Sequence, residues 1–233
     1  LHSARPPSER NQISSVDCLG IAGVSIEATV HADWAQRLTK EQAIRAAEYA
    51  TLEINGFPNW LAALVKAWPA AVEKVLAQEV ASNLDDPTPG VLYLILEAIS
   101  RSDESLVRLM SPALWHELQA RHDLNRTALQ PMLFILKRGL AEADKGDLYT
   151  LALSRFQSST DPQISAQYLG AAYGVNAQGA TDALMAKLNL LGEAEKTALV
   201  ERALPQIFGS RWLNSAPPDV HLDVATLERL VLL

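Results

Sequence analysis

From Thr39 onward, apolar residues recur every three or four positions, which is the spacing of one face of a helix. Thr39 and Gln42 stand three residues apart as a capping box, and this pair predicts where the helix begins. The apolar stripe behind the cap consists of Ala43, Ile44, Ala47, Ala50 and Ile54. Asn55 and Gly56 favour a turn, so they predict the end of this helix.

Prolines mark the starts of the next two predicted helices. Pro58 stands where a first-turn proline is tolerated, and Pro69 opens the following helix in the same way. The apolar face of the first helix consists of Trp60, Leu61, Leu64 and Trp68, and that of the second consists of Val72, Val75, Leu76, Val80 and Leu84. Residues 85–90 read Asp-Asp-Pro-Thr-Pro-Gly and predict a stop. The chain therefore follows a pattern of helix, tight turn and helix.

The same signals predict the remaining helices. They cover 15–30, 90–101, 103–110, 126–142, 146–157, 162–174, 179–191, 193–208 and 224–232. One more helix is expected to begin at Pro112, with Ser111 as its N-cap. Pro131 and Pro205 fall inside predicted helices and should kink or split them, because proline lacks a backbone N–H and clashes with the preceding turn.

Composition supports an all-α fold. Leucine (36) and alanine (35) are strong helix formers, and β-branched runs between turn pairs are nearly absent. Short antiparallel helices predict a HEAT- or TPR-like α-solenoid or a compact helical bundle, and the similar segments 91–96 and 131–136, offset by 40 residues, leave a repeat origin open. Residues 1–14 are expected to be a disordered lead-in, and 15–233 a single helical-repeat-like domain with a possible sub-boundary near 85–90.

Charge and cysteine content restrict the kinds of partner and the cellular compartment that we expect. Lys and Arg number 20 against 27 for Asp and Glu, and the net charge of -7 disfavours nucleic acid as a partner. The apolar run 91–96 is too short to span a membrane. A single cysteine, Cys18, permits no intrachain disulfide, which predicts a cytoplasmic protein, and its expected place is the core.

The sequence contains no motif that indicates catalysis or a cofactor. No GxxxxGK[ST] loop is present for nucleotide phosphates, and no GxSxG elbow is present for acyl transfer. His116 and His122 are six residues apart, whereas a zinc-binding pair on one helical face needs a spacing of four. Asp85 and Asp86 fit a solvated turn better than an acid/base pair. We therefore predict no catalytic, cofactor-binding or metal-binding residues.

Tryptophans are the only candidate contact residues for a protein partner. Large aromatic side chains dominate the energetics of protein interfaces, but most tryptophans are largely buried in the core. The sequence does not separate these two roles. The candidate anchors for a protein partner are Trp60, Trp68 and Trp115.

Residues 48–60 (EYATLEINGFPNW) and 67–72 (AWPAAV) resemble helical regions of large bacterial NACHT-type NTPases of the STAND superfamily. The resemblance implies a sensing or autoinhibitory role and carries no catalytic residue. A start without Met leads us to expect a piece of a longer protein. We thus predict a non-enzymatic interaction or regulatory module. The alternatives are a purely structural spacer, and a helical enzyme or small-ligand-binding protein whose site is assembled from residues distant in sequence.

Overall fold

A computed structural model describes residues 13–53, 56–85 and 94–208 of the chain. The described residues form helices and no strands, so the predicted all-α class is confirmed. The α-helices are α1 Ser15–Val30, α2 Lys40–Ala50, α3 Leu61–Ala67, α4 Pro69–Asp85, α5 Leu94–Ser100, α6 Glu104–Ala120, α7 Arg126–Gly139, α8 Glu142–Ser158, α9 Pro162–Tyr173, α10 Ala177–Leu188 and α11 Glu193–Phe208. A 3-10 helix, Trp34–Arg37, lies between α1 and α2.

The chain divides into two compact units, Leu1–His122 and Asp123–Leu233. Within the first unit, α4 packs between α2 and α6, and α1 lies against α2 and the 3-10 helix. Small residues form the buried face of α2, namely Ala43, Ala46, Ala47 and Ala50, and they let the neighbouring helices approach closely. The description of 15–233 as one domain stays a prediction, and most of the possible boundary at 85–90 lies outside the described residues.

Helix α9 forms the centre of the second unit. Every residue from Ser165 to Tyr173 is buried, and α7, α8, α10 and α11 all pack against this helix. Gly170 permits a close approach of α11, because a Cβ atom there would lie 2.9 Å from Cβ and 3.2 Å from the carbonyl oxygen of Gln206. A helix without a polar side is typical of the centre of a helical core.

Several predicted helix starts are confirmed. The Thr39 side chain accepts from the Gln42 N–H while the Gln42 side chain accepts from the Thr39 N–H, and α1 begins with the same reciprocal pair at Ser14 and Asp17. Pro69 opens α4 as predicted. Gly56 adopts a φ of 107°, a conformation that L-residues rarely adopt. The helix end predicted at Asn55 and Gly56 is wrong, because α2 already ends at Ala50 with Thr51 as its C-cap.

The predicted break at Ser111 and Pro112 is wrong. A single helix, α6, runs through both residues, and the Ser111 hydroxyl donates to the Val107 carbonyl at 2.8 Å instead of capping a new helix. The buried face continues unbroken across this point with Leu106, Val107, Met110, Ser111, Leu114 and Leu118. Burial of that face outweighs the hydrogen bond that Pro112 cannot make.

Other boundaries differ by a few residues. Helix α3 begins at Leu61, whose N–H donates to the Pro58 carbonyl at 2.9 Å, so Pro58 precedes the helix. Pro131 and Pro205 lie inside α7 and α11 without splitting them. The predicted helix 224–232, residues 1–12 of the predicted lead-in and the first half of the segment 91–96 lie outside the described residues.

Candidate interaction surface

Trp60 lies inside the first unit and contacts α1. It is the N-cap residue of α3, with 8% of its surface exposed. Its indole N–H donates to the Ser25 hydroxyl at 3.1 Å, and its ring meets that of Trp34 edge-on, with centroids 5.7 Å apart and planes at 85°. This edge-to-face arrangement is a favourable geometry for two aromatic rings. Trp60 therefore joins α3, the 3-10 helix and α1.

Trp68 and Trp115 are half-buried. Trp68 follows α3, and its indole N–H donates to the Ala35 carbonyl at 2.8 Å. Trp115 lies on α6. The structure thus places Trp60 and Trp68 at the two ends of one helix, where each donates a hydrogen bond within its own unit. A contact of any of the three candidate anchors with a partner stays a prediction.

The inner side of α1 is seated closely on α2. A Cβ atom at Gly20 would lie 2.2 Å from Cζ of Tyr49, so glycine permits this approach without a shift of the tyrosine ring. Ser25 accepts from Trp60 and donates to the Ile21 carbonyl at 2.8 Å. Gly20 thus meets a residue 29 positions later in the chain, and Ser25 meets one 35 positions later. These two contacts help to fix which side of α1 faces inward.

The outer side of α1 is apolar and exposed. None of its residues is buried. Four large apolar side chains, Val16, Leu19, Ile26 and Val30, are 64–73% exposed, and only Leu190 and Phe208 are comparable elsewhere in the part of the chain that the structure describes. We call Val16, Leu19, Gly23, Ile26 and Val30 the outer stripe. Contiguous exposed apolar surface of this kind is typical of an interaction site.

The outer stripe is not among the residues that the sequence predicts as contacts. Its spacing of three and four residues is visible in the sequence, but Ile21 and Val24 on the half-buried side are apolar too, so the pattern reads as weak. Cys18, expected in the core, is exposed. That expectation is wrong because α1 covers the surface of its unit and contributes no buried residue to the core.

The second unit contains a partly buried polar cluster around Lys187. The ammonium group donates to the carbonyls of Phe156 and Ser159, the latter at 3.0 Å, and to the Ser165 hydroxyl at 3.0 Å. It also lies 4.7 Å from the centroid of the Phe156 ring. Burial lowers the pKa of Lys187 from its usual value. These groups belong to the end of α8 and the start of α9, so Lys187 on α10 joins three helices.

A serine and a lysine this close also occur in Ser–Lys hydrolases, where the amine activates the hydroxyl. Here the Ser165 side chain is 1% exposed, and its hydroxyl lies 3.2 Å from the carbonyls of Phe156 and Ser159. The Lys187 ammonium is directed to the same carbonyls. Cations near a helix C-terminus stabilise its unpaired carbonyls, and this geometry performs that task for α8.

Histidines and carboxylates form no metal centre in the described ranges. No group of three or more His, Cys, Asp or Glu residues there is placed to hold an ion. Glu117, between the two histidines considered above, pairs with Arg121 at 2.7 Å, and Arg121 also reaches Asp85 at 2.7 Å. These carboxylates raise the pKa of Arg121, chiefly through the Glu117 hydrogen bond.

Comparisons of the chain with known proteins give no match among family models, curated proteins or solved structures. Among the helices of residues 13–53, 56–85 and 94–208, none combines the length and the apolar character that crossing a membrane requires. The exposed apolar side chains of the outer stripe are the observation that supports a functional interpretation.

Proposed function

We propose that the chain is a non-enzymatic protein-interaction module, and that its contact surface is the outer stripe of α1. The observation that carries this proposal is the exposure of four large apolar side chains on one helix whose opposite side is fixed. Removing such side chains from water is the main source of affinity in most protein associations.

The contacts that hold α1 on its unit make this surface suitable for binding. Gly20 against Tyr49 and Ser25 against Trp60 hold the helix at two points, so it presents the outer stripe on a supported element. A partner that binds a preformed surface loses less conformational entropy than one that must order it. The resemblance to helical regions of NACHT-type NTPases adds a sensing or autoinhibitory role in a larger cytoplasmic bacterial protein to this proposal.

Site-specific photo-cross-linking tests the proposal. A photoreactive phenylalanine analogue replaces Leu19 or Ile26 in the full chain, and the matched control carries it at Leu190, which is 87% exposed. After irradiation in cells that express the chain, we expect a covalent protein adduct from positions 19 and 26 and none from 190. Equal adduct yields at all three positions would contradict the proposal, because cross-linking would then follow exposure alone.

A further inference from the structure

The outer stripe has the spacing of a helix–helix seam. Its members are separated by three, four, three and four residues, as are the a and d positions of a heptad. Val16, Gly23 and Val30 take the a positions, and Leu19 and Ile26 take the d positions. A Cβ atom built at Gly23 meets nothing within 4 Å, so the centre of the seam is open. The shape fits another helix.

The stripe is nearly symmetric about its centre. Read in either direction from Gly23, it places a branched apolar residue, Leu19 or Ile26, and then a valine at comparable distances. A two-fold interface must be self-complementary, because the same patch serves both copies. We propose that the partner of this surface is a second copy of the chain, whose α1 runs antiparallel to the first with the two-fold axis at Gly23. This inference rests on the proposed function.

In this arrangement Val16 of one copy lies near Val30 of the other, and Leu19 lies near Ile26. The two glycines meet at the axis, where the absence of side chains lets the backbones approach closely. Ala22 and Thr29 flank the seam on one side with small side chains, and Glu27, which lies on the other side, is within 4.0 Å of Arg37 of its own unit. The antiparallel direction also sets the positive end of each helix dipole beside the negative end of the other.

Charges favour a second copy over other occupants. Helix α1 contains two charged residues, Asp17 and Glu27, neither in the outer stripe, and Glu27 is within 4.0 Å of Arg37 of its own unit. A parallel pair would bring the two Asp17 carboxylates together, whereas the antiparallel pair keeps them at opposite ends. The helix has no Lys or Arg, which helices that lie on anionic lipid surfaces carry on their polar side.

The size of the seam predicts a weak dimer. The 16 residues of α1 span about 24 Å, and one face of a helix about 10 Å wide offers a few hundred Å² per copy. Stable interfaces bury about 800 Å² per partner, so α1 alone supports a concentration-dependent equilibrium with a Kd in the range of about 10 μM to 1 mM. Each copy carries a net charge of -7, and we expect salt to strengthen the dimer by screening this repulsion.

Sedimentation equilibrium of the purified full chain tests the dimer. The variant Leu19→Glu/Ile26→Glu should weaken association at least about tenfold, since it places carboxylates in the seam, while the matched control Leu190→Glu should change it by less than about twofold. Both altered residues of the first variant are exposed, and unchanged circular dichroism would verify that α1 remains folded. A wild-type chain that stays monomeric to about 1 mM, or an equal loss in Leu190→Glu, would overturn the proposal.

Cysteine cross-linking tests the direction of the helices. Cys18 lies five residues from Gly23, so the two copies of Cys18 would be about 15 Å apart along an antiparallel pair, too far for a disulfide. We expect no wild-type disulfide, and efficient disulfide formation in Cys18→Ser/Ala22→Cys, whose cysteines flank the axis. Efficient disulfide formation at Cys18 in the wild type, or none in Cys18→Ser/Ala22→Cys, would overturn the proposed geometry.

The outcomes separate this inference from the proposed function. A chain that is monomeric when purified, yet cross-links a different protein through position 19, would overturn the second copy as the partner and leave the interaction module standing. Binding to phosphatidylcholine vesicles that Leu19→Glu abolishes, without dimer formation, would assign the stripe to a lipid surface instead. Absence of all three interactions would overturn both proposals.

Discussion

The indole N–H of Trp60 donates to the hydroxyl of Ser25, a residue 35 positions earlier in the chain. This bond joins the start of α3 to the middle of α1. The same hydroxyl donates to the Ile21 carbonyl at 2.8 Å, so its one donor is used within α1 and its bond to Trp60 is an accepted one. Because a rotation of α1 would break the bond to Trp60, the tryptophan helps to set which residues of α1 face outward.

Replacing Trp60 by Phe tests this role. We expect the free energy of unfolding to fall by about 1–3 kcal/mol, because one hydrogen bond and part of a buried ring are lost. Urea unfolding measures the change. Trp115→Phe is the control, since Trp115 is half-buried and its indole has no hydrogen-bond partner in the described part of the chain. An equal loss of stability in Trp115→Phe would mean that the hydrogen bond between Trp60 and Ser25 does not contribute to stability.

Two helical glycines of the second unit should respond to alanine in opposite directions. At Gly170 the new methyl group would meet the backbone of Gln206, and forcing α9 and α11 apart should cost about 1–3 kcal/mol. At Gly146 in α8 nothing lies within 4 Å, and alanine should stabilise by about 0.5–1 kcal/mol through its helix propensity. Thermal unfolding of both variants shows whether each substitution raises or lowers stability. A stabilised Gly170→Ala variant would refute the close packing of α9 against α11.

Loss of the Lys187 ammonium should weaken the contact between α8, α9 and α10. Lys187→Met keeps a long apolar side chain but leaves the carbonyls of Phe156 and Ser159 without their donor, which should cost about 1–3 kcal/mol. Lys196→Met removes only an exposed pair with Glu193 and should cost less than about 1 kcal/mol. Chemical denaturation of the two variants distinguishes a structural ammonium from an ordinary surface lysine.

The same variant makes the pH dependence of Lys187 measurable. Burial lowers the pKa of this group in the folded chain, so between that value and the usual value of about 10.4 the unfolded chain binds more protons. The free energy of unfolding contributed by Lys187 therefore rises with pH in this interval. We expect the advantage of the wild type over Lys187→Met to grow between neutral pH and pH of about 10. If the difference in the free energy of unfolding between the wild type and Lys187→Met became smaller as the pH rises, this would contradict a lowered pKa of Lys187.

Pro112 should be a destabilising residue in α6. It is exposed, so alanine would restore the N–H for the Arg108 carbonyl without removing buried contacts, and we expect a gain of about 1–3 kcal/mol. Pro131 in α7 is buried, and Pro131→Ala should gain less because it also loses packing. Calorimetry measures the stability of both variants. Equal gains in stability would show that the packing of Pro131 does not contribute to the stability of α7.

Local rules predicted much of the fold. Thr39 with Gln42, and Pro69, act through hydrogen bonds and torsions of their own turn, so their effect is the same in the sequence and in the structure. Ser111 and Pro112 carry the same kind of start signal, and it fails because Met110 and Leu114 continue one buried face through it. A local signal for a helix start therefore fails where a continuous buried face favours one uninterrupted helix.

The candidate surface was less accessible to prediction. Leu19 on the outer side of α1 and Ile21 on the half-buried side are both apolar, and only the tertiary contacts of α1 determine which of them is exposed. These contacts are those of Gly20 with Tyr49 and of Ser25 with Trp60, between residues 29 and 35 positions apart. Spacing along one helix carries no information about such pairs.

The perpendicular indoles of Trp34 and Trp60 give the first unit an optical signature. Because the ring centroids are only 5.7 Å apart, we expect the excited states of the two indoles to couple and to add a paired positive and negative band to the circular dichroism of the helices. The band depends on the mutual orientation of the rings and vanishes when that orientation is lost. It therefore reports whether the support beneath α1 is intact in any variant, even one whose helix content is unchanged.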